Sequence, residues 1–132
     1  MSIKSHHKHE AEEQIKLFQW AEYNLGRYPE LELLYHIPNG GSRNKIEALN
    51  LKRQGVKSGV PDLCLPVARG TYHGLYIEMK FGKNTPTDNQ VKWLKTLKNQ
   101  GYATALAYSC DEAIDVLTNY LSLKRGNRIE NR

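Results

Sequence analysis

The stretch GLYIEMKF, residues 74–81, decides the fold because it predicts a buried strand that also carries charge. Apolar and polar residues alternate along it, so Glu78 and Lys80 face one side of the strand. The apolar side chains between them face the opposite side, which we expect to be the core. An acid and a base therefore share one face of a strand that is otherwise typical of a protein interior.

The preceding segment DLCLPVA, residues 62–68, predicts the partner strand of a hairpin. The connection RGTYHG has a glycine near its start and another at its end, which is a hairpin signal. Pairing of the two strands brings Asp62 beside Glu78. Adjacent carboxylates stay ionised together only with a cation between them, and Mg²⁺ suits such hard oxygen ligands. With Lys80 next to the metal, this is a site for phosphodiester hydrolysis. A plain cross-strand salt bridge between Lys80 and a carboxylate is the alternative, and it is the commoner explanation for an isolated acid-x-Lys strand.

The rest of the chain predicts the element order α, β, α, β, β, α, β, α, which indicates a mixed sheet with helices packed on it. Outside the hairpin, the predicted helices are 9–25, 43–55, 88–101 and 112–124, and the predicted strands are 31–38 and 102–108. The predicted apolar positions of the first helix are Ala11, Ile15, Phe18 and Leu25. Ser42 is predicted to cap the second helix, and the pairs Thr87/Gln90 and Ser109/Glu112 have capping-box spacing.

Length and composition favour one domain and leave the nature of its partner open. The 132 residues are 39% apolar, without an apolar run long enough for a membrane span or a signal peptide. Two cysteines, which we expect to be small packed residues, fit a reducing compartment, so we expect a cytoplasmic protein. The net charge of +5 is typical of nucleic-acid binding, although ordinary solubilising charge explains it equally well. The HHKH segment, residues 6–9, predicts disorder or a cloning remnant rather than a metal site.

The order of short motifs resembles a known nuclease family. GVPDLCL, residues 59–65, followed by IEMK, residues 77–80, resembles the PD-(D/E)XK nuclease motif. The flanking segments, PNGGSR, GVKSGVPD, TPTDNQVKWL and GYATALAYSCDEAIDVLTNYL, are similar to the VRR-NUC branch, the virus-type replication-repair nucleases. The resemblance covers about residues 10–121. It implies an α/β, restriction-endonuclease-like fold: a mixed central sheet flanked by helices in a single domain at 10–123. Residues 1–9 are then a flexible segment and 124–132 a charged tail.

The resemblance also implies roles for individual residues. Asp62 and Glu78 correspond to the metal-binding acids and Lys80 to the catalytic lysine, while Met79 lends its backbone carbonyl to the metal. Glu10 corresponds to a further metal-site acid on the first helix, where helical spacing puts it on one face with Gln14.

Gln90 corresponds to the glutamine of the family's Q-x-x-W element, which lies near the active site. The capping box offers Gln90 a purely structural role, and we expect that one rotamer does not easily serve both. Trp93, the last residue of that element, is expected to pack in the core and hold its helix against the sheet.

The basic residues upstream of the hairpin predict one side of a DNA groove. The NGG-x-R element places Asn39 and Arg43 at its border, with Arg43 on a phosphate. Further backbone contacts are predicted for Lys45, Lys52, Arg53 and Lys57. The alternatives are a simple turn with a helix cap, and a solvated helix face. His36 and His73 have no motif around them and are expected to satisfy local hydrogen bonds.

Together these features predict a Mg²⁺- or Mn²⁺-dependent DNA endonuclease of phage or prophage type, without a small-molecule cofactor. The resemblance implies in-line attack by water that leaves a 5′ phosphate. It further implies a Holliday-junction resolvase acting as a homodimer in a bacterial host or phage-infected cell. A nuclease for flaps or other branched or duplex DNA is one alternative, and a catalytically inactive DNA-binding protein of the same fold is another.

Overall fold

A mixed four-stranded sheet forms the centre of the computed structural model, which describes residues 3–38 and 44–126, with side chains from residue 10 onward. Its strands, in spatial and chain order, are β1 (Tyr35–His36), β2 (Leu63–Leu65), β3 (Leu75–Met79) and β4 (Ala103–Ala107). β1 pairs with β2 and β2 with β3 in antiparallel orientation, whereas β3 and β4 are parallel. The predicted hairpin and the mixed α/β sheet are therefore confirmed.

In the described part of the chain, four α-helices and one short 3₁₀ helix surround the sheet. The α-helices are α1 (Ile3–Tyr23), α2 (Lys45–Arg53), α3 (Asp88–Asn99) and α4 (Cys110–Leu121), and the 3₁₀ helix is Pro29–Leu33. α1 and α4 pack on each other, α4 also packs on β3 and β4, and α3 contacts β4. None of the described helices is long and apolar enough to cross a membrane.

The core lies between the sheet and the α1–α4 pair. Ile77 and Leu63 of the sheet are fully buried, together with Leu17 of α1 and Leu117 of α4. Strand alternation puts Glu78 on the opposite face, yet this side chain is only 2% exposed. Both faces of β3 are thus buried, and a charged residue lies where solvent does not reach it.

The first third of the chain differs from its prediction in three respects. Residues 31–33 of the predicted strand 31–38 belong to the 3₁₀ helix, because Pro29 starts a tight turn that buries Leu31, and only Tyr35–His36 pair with β2. The buried stripe of α1 contains Leu17 and Ala21, whereas Ile15 is 56% exposed. α1 also begins at Ile3, before its predicted start at residue 9.

The caps of the remaining helices follow the expected chemistry with one exception. Asn44, not Ser42, caps α2, since its Oδ1 accepts hydrogen bonds from the backbone N–H groups of Ile46 and Glu47. Thr87 and Ser109 cap α3 and α4 as predicted. Both cysteines are free and buried, which agrees with their expected packing role. The predicted tail starts with an ordered contact, because the N–H of Gly70 donates to the carbonyl of Lys124.

The loop before β2 is fixed tightly against the start of α3. The side chain of Asn89 donates to Ser58 Oγ over 2.7 Å, and the indole of Trp93 donates to the Ser58 carbonyl over 3.1 Å. Gly59 has φ +87°, and a Cβ there would lie 2.9 Å from the Asn89 carbonyl carbon. Close contact of two backbones and a left-handed conformation both require glycine at this position.

We therefore expect Gly59→Ala to lower the free energy of unfolding by about 2 kcal/mol, through steric overlap and backbone strain. Chemical denaturation measures this change. Two other glycines separate the causes, because Gly55 has φ +102° with open space around it and Gly26 has open space without a positive φ. Gly55→Ala should cost about 1 kcal/mol and Gly26→Ala almost nothing. Equal effects of all three substitutions would contradict the close contact.

Candidate active site

An acidic cavity of about 380 Å³ lies at the Asp62 end of the β2–β3 hairpin. Its lining residues come from α1, β1, the residue before β2, the end of β3 with the loop after it, and the start of α3. Its lining consists of Glu10, Ala11, Gln14, His36, Asp62, Glu78, Met79, Lys80, Phe81, Asn84 and Gln90. All six residues predicted as catalytic groups or metal ligands are thus in one cavity.

The carboxylates of Asp62 and Glu78 are placed together by the strand register. Leu63 is opposite Ile77, so Asp62 is opposite Glu78 one position further along. Asp62 Oδ2 accepts a hydrogen bond of 2.8 Å from the backbone N–H of Met79. Glu78 Oε1 is buried and has no hydrogen-bond partner among the described residues. A native structure rarely leaves such an oxygen unsatisfied, which indicates that a proton shared with Asp62 or a bound cation completes this pair.

Burial and mutual repulsion make the doubly ionised pair costly. Burial, reinforced by the charge of Asp62, raises the pKa of Glu78 to about 8, and Lys80 opposes this shift. Burial also raises the pKa of Asp62, although the Met79 amide partly offsets it. In the protein alone, a proton therefore stays on the pair up to about neutral pH, unless a cation replaces it.

The residues present fit a divalent cation. Two adjacent carboxylates and an unsatisfied buried oxygen form the hard oxygen set that Mg²⁺ or Mn²⁺ takes, and Mg²⁺ commonly uses only one or two protein carboxylates. Asp62, Glu78 and the Met79 carbonyl would hold it. The described part of the chain contains no group of three or more His, Cys, Asp or Glu placed to hold a metal. Glu10 lines the cavity without completing such a group, so its role as a ligand stays a prediction.

Gln90 makes two contacts in one rotamer, contrary to our expectation. Its Oε1 accepts from the Thr87 backbone N–H over 2.9 Å, which completes the capping box of α3. Its Nε2 donates to Glu78 Oε2 over 3.0 Å. A primary amide has an acceptor and a donor on separate atoms, so the two roles do not compete. The start of α3 is thereby tied to the carboxylate.

The acidic side chains Glu10 and Glu13 of α1 point to different parts of the structure. Glu10 and Gln14 line the acidic cavity. Glu13 instead accepts a hydrogen bond of 3.2 Å from the backbone N–H of Cys110, at the start of α4. Its carboxylate thus satisfies an N-terminal amide of that helix and complements the helix dipole.

His36 is a cavity residue that sequence reasoning did not assign to the site. Its Nδ1 lies 3.0 Å from the Asp62 backbone carbonyl oxygen, and its charge lowers the pKa of the Asp62 carboxyl. The contact agrees with the expected local hydrogen bond. No motif marks His36, because only the β1–β2 pairing brings it next to Asp62. Asn84, in the loop after β3, also lines the cavity and was missed because no motif marks it.

The predicted DNA-binding residues are distributed unevenly. Lys52 and Lys57 line a groove of about 1130 Å³ between α2 and α3, called here the α2–α3 groove. Lys45 and Arg53 are exposed on α2 but line neither this groove nor the acidic cavity. Asn39 and Arg43 lie outside the described residues. Trp93, which we expected in the core, forms part of the groove wall.

A family model and a solved structure to which the chain is similar both name the same domain. The family model of the VRR-NUC domain matches residues 3–111. A solved structure described as a VRR_NUC domain protein is 30% identical to the chain, with a TM-score of 0.76. That match covers 94% of this chain and 97% of the other. No curated protein sequence matches the chain.

We predict that, without metal, the protein loses stability as the pH rises. Folding raises the pKa of Glu78 from 4.5 to about 8. The stabilisation that comes from protonation of Glu78 is therefore complete below pH 4.5 and is lost as the pH rises to about 8 and beyond. Glu78→Gln should remove most of this slope, and should be more stable than the wild type by over about 1 kcal/mol at about pH 9. Urea titrations across this pH range in chelator measure the effect.

Glu22→Gln, at an exposed position of α1, is the matched control and should keep the wild-type pH dependence. Equal slopes for the wild type and Glu78→Gln would show that Glu78 does not hold a proton in the folded protein.

Proposed function

Because the chain belongs to the VRR-NUC domain family, the virus-type replication-repair nucleases, we propose that the acidic cavity is the active site of a metal-dependent DNA endonuclease. The observation that carries this proposal is the buried Asp62–Glu78 pair with its unsatisfied Oε1. An ordinary salt bridge would leave neither a raised pKa on Glu78 nor a buried oxygen without a partner. The proposed substrate is DNA in the cytoplasm of a bacterial host or phage-infected cell.

The chain's own residues provide binding, orientation and charge. Asp62, Glu78 and the Met79 carbonyl would hold the divalent ion, Mg²⁺ or Mn²⁺, together with Glu10 of α1. When bound, the ion supplies Lewis-acid activation of water and neutralises phosphate charge. Gln90 holds one oxygen of Glu78 and so keeps the carboxylate in a single orientation.

Lys80 complements the carboxylates from the position directly after β3. It faces the acidic cavity, and its backbone N–H is fixed by a hydrogen bond of 2.8 Å to the carbonyl of Ala107 in β4. Its ammonium group orients the attacking water or stabilises the negative charge that develops on the phosphate. Attack in line with the leaving 3′ oxygen then leaves a 5′ phosphate on the product.

We further propose that the substrate is a four-way junction and that the protein acts as a homodimer. The described residues contain one such carboxylate pair per chain, and cutting two opposing strands of a junction requires two. A two-fold dimer supplies the second. α2 offers a surface for such a partner, because none of its side chains is buried and Ile46 and Leu49 are 71% and 56% exposed.

We expect Asp62→Asn and Glu78→Gln each to slow cleavage by about 10³-fold or more, since each substitution removes a charge from the metal site. Binding of DNA should change little. Gel assays with a labelled four-way junction, in Mg²⁺, in Mn²⁺ and in chelator, measure the rates. Lys95→Ala, on the exposed side of α3, is the control for general charge loss. Cleavage by either carboxylate variant at the wild-type rate would remove that residue from the mechanism.

The same assay separates the candidate substrates. A resolvase cuts the junction faster than a flap or a linear duplex of the same sequence, and makes paired cuts within one binding event. A junction cut no faster than the duplex would overturn the resolvase proposal. Preference for the flap would support the alternative branched substrate.

A further inference from the structure

The α2–α3 groove adjoins the acidic cavity and has a different character. Leu51 and Lys52 of α2 form one wall, the loop Val56–Gly59 forms the floor, and Trp93 of α3 belongs to the opposite wall. Gln90 lines both the groove and the acidic cavity. A chain of nucleotides that enters the cavity from this side therefore has to lie in the groove.

The groove combines apolar surface with positive charge. Leu51, Val56 and Trp93 supply apolar surface, while Lys52 and Lys57 carry the positive charges and Asp88 the negative charge of the lining. Lysines alone would suit any DNA backbone, because every backbone carries phosphates. Apolar and aromatic surface suits nucleotide bases, which duplex DNA keeps stacked inside and only an unpaired strand exposes.

On these grounds we propose that the α2–α3 groove binds an unpaired strand of the DNA substrate and leads it to the acidic cavity. Bases contact the surface around Trp93, and Lys52 and Lys57 contact phosphates. This inference rests on the proposed nuclease function and bears on its substrate: the preferred cut lies next to nucleotides that are not paired, so the groove favours a flap or another branched DNA with an unpaired strand over a fully paired four-way junction.

The contacts beneath the groove fix its floor and its α3 wall before DNA binds. Trp93 and Asn89 both bond to Ser58, and Gly59 lets the loop approach the backbone of α3. The indole N–H is used by Ser58, so Trp93 offers DNA its ring surface rather than its polar edge. A preformed surface loses little conformational entropy on binding, which favours contact with a flexible single strand.

Binding without cleavage tests the proposal. A labelled oligothymidine of about 12 nucleotides and a blunt duplex of equal length are titrated in chelator and followed by fluorescence anisotropy. Lys52→Glu/Lys57→Glu should weaken single-strand binding by about 10-fold or more and lower the slope of log affinity against log salt by about 1.4. Duplex binding should weaken less.

The matched control is Lys95→Glu/Lys98→Glu, which changes the net charge equally at exposed positions of α3 outside the groove. It should bind the single strand nearly as the wild type does. Equal losses in the two double variants, or equal losses for single strand and duplex, would show general electrostatic attraction and overturn the proposal.

Trp93 itself provides a second measurement. The chain has two tryptophans, so Trp20→Phe leaves Trp93 as the single indole reporter. Its fluorescence should be quenched by the oligothymidine and much less by the duplex. An unchanged signal on saturation with single strand would exclude base contact at Trp93.

The groove proposal and the nuclease proposal can fail independently, and the two failures give different experimental results. A wild type that binds single strand through the groove but cuts no DNA with Mg²⁺ or Mn²⁺ contradicts only the nuclease proposal. A wild type that cuts branched DNA, and whose Lys52→Glu/Lys57→Glu variant binds single strand and cuts normally, contradicts only the groove.

Discussion

The pairing of Asp62 with Glu78 across the β2–β3 hairpin is the interaction on which the rest of the site depends. Two carboxylates at a buried position repel each other, and burial penalises the charge of each. A backbone amide from Met79 and a side-chain amide from Gln90 offset part of this cost. Neither contact reaches Glu78 Oε1, so a proton or a cation has to provide the remaining stabilisation of the pair.

α3 links this pair to the surface that we assign to DNA. Its first turn is closed by the Thr87–Gln90 capping box, and the same Gln90 side chain reaches Glu78. One turn further, Trp93 fixes the loop before β2 through Ser58. The acidic cavity and the α2–α3 groove therefore share a rigid wall, and a shift of α3 would disturb both. This coupling explains why a Q-x-x-W element belongs to the site although only its glutamine contacts a carboxylate.

Local patterns predicted much of this structure. The hairpin glycines and strand alternation predicted that Asp62 can lie beside Glu78, and the register of β2 with β3 puts the two residues opposite each other. Helix caps at Thr87 and Ser109 likewise depend on a few adjacent residues. The family resemblance placed Glu10 and Gln90 in the cavity, which no local pattern requires.

The prediction errors arise where tertiary contacts determine the local structure or the buried side. The 3₁₀ helix buries Leu31 in a segment whose apolar residues resemble a strand, and Leu17 rather than Ile15 faces the core because α4 determines the packed side of α1. Trp93 lies at the groove because Ser58 binds its indole. His36 joins the site through a two-residue strand pairing. None of these contacts leaves a periodic signal in the sequence.

The central claim is that Asp62 and Glu78 form a divalent-metal site that holds a proton until the ion binds. Calorimetric titration of Mn²⁺ at about pH 7, in two buffers with different ionisation enthalpies, measures ion binding and proton release together. The account predicts saturable binding with release of a proton in the wild type, and loss of both in Glu78→Gln. Binding that persists in this variant, or that releases no proton in the wild type, would contradict it.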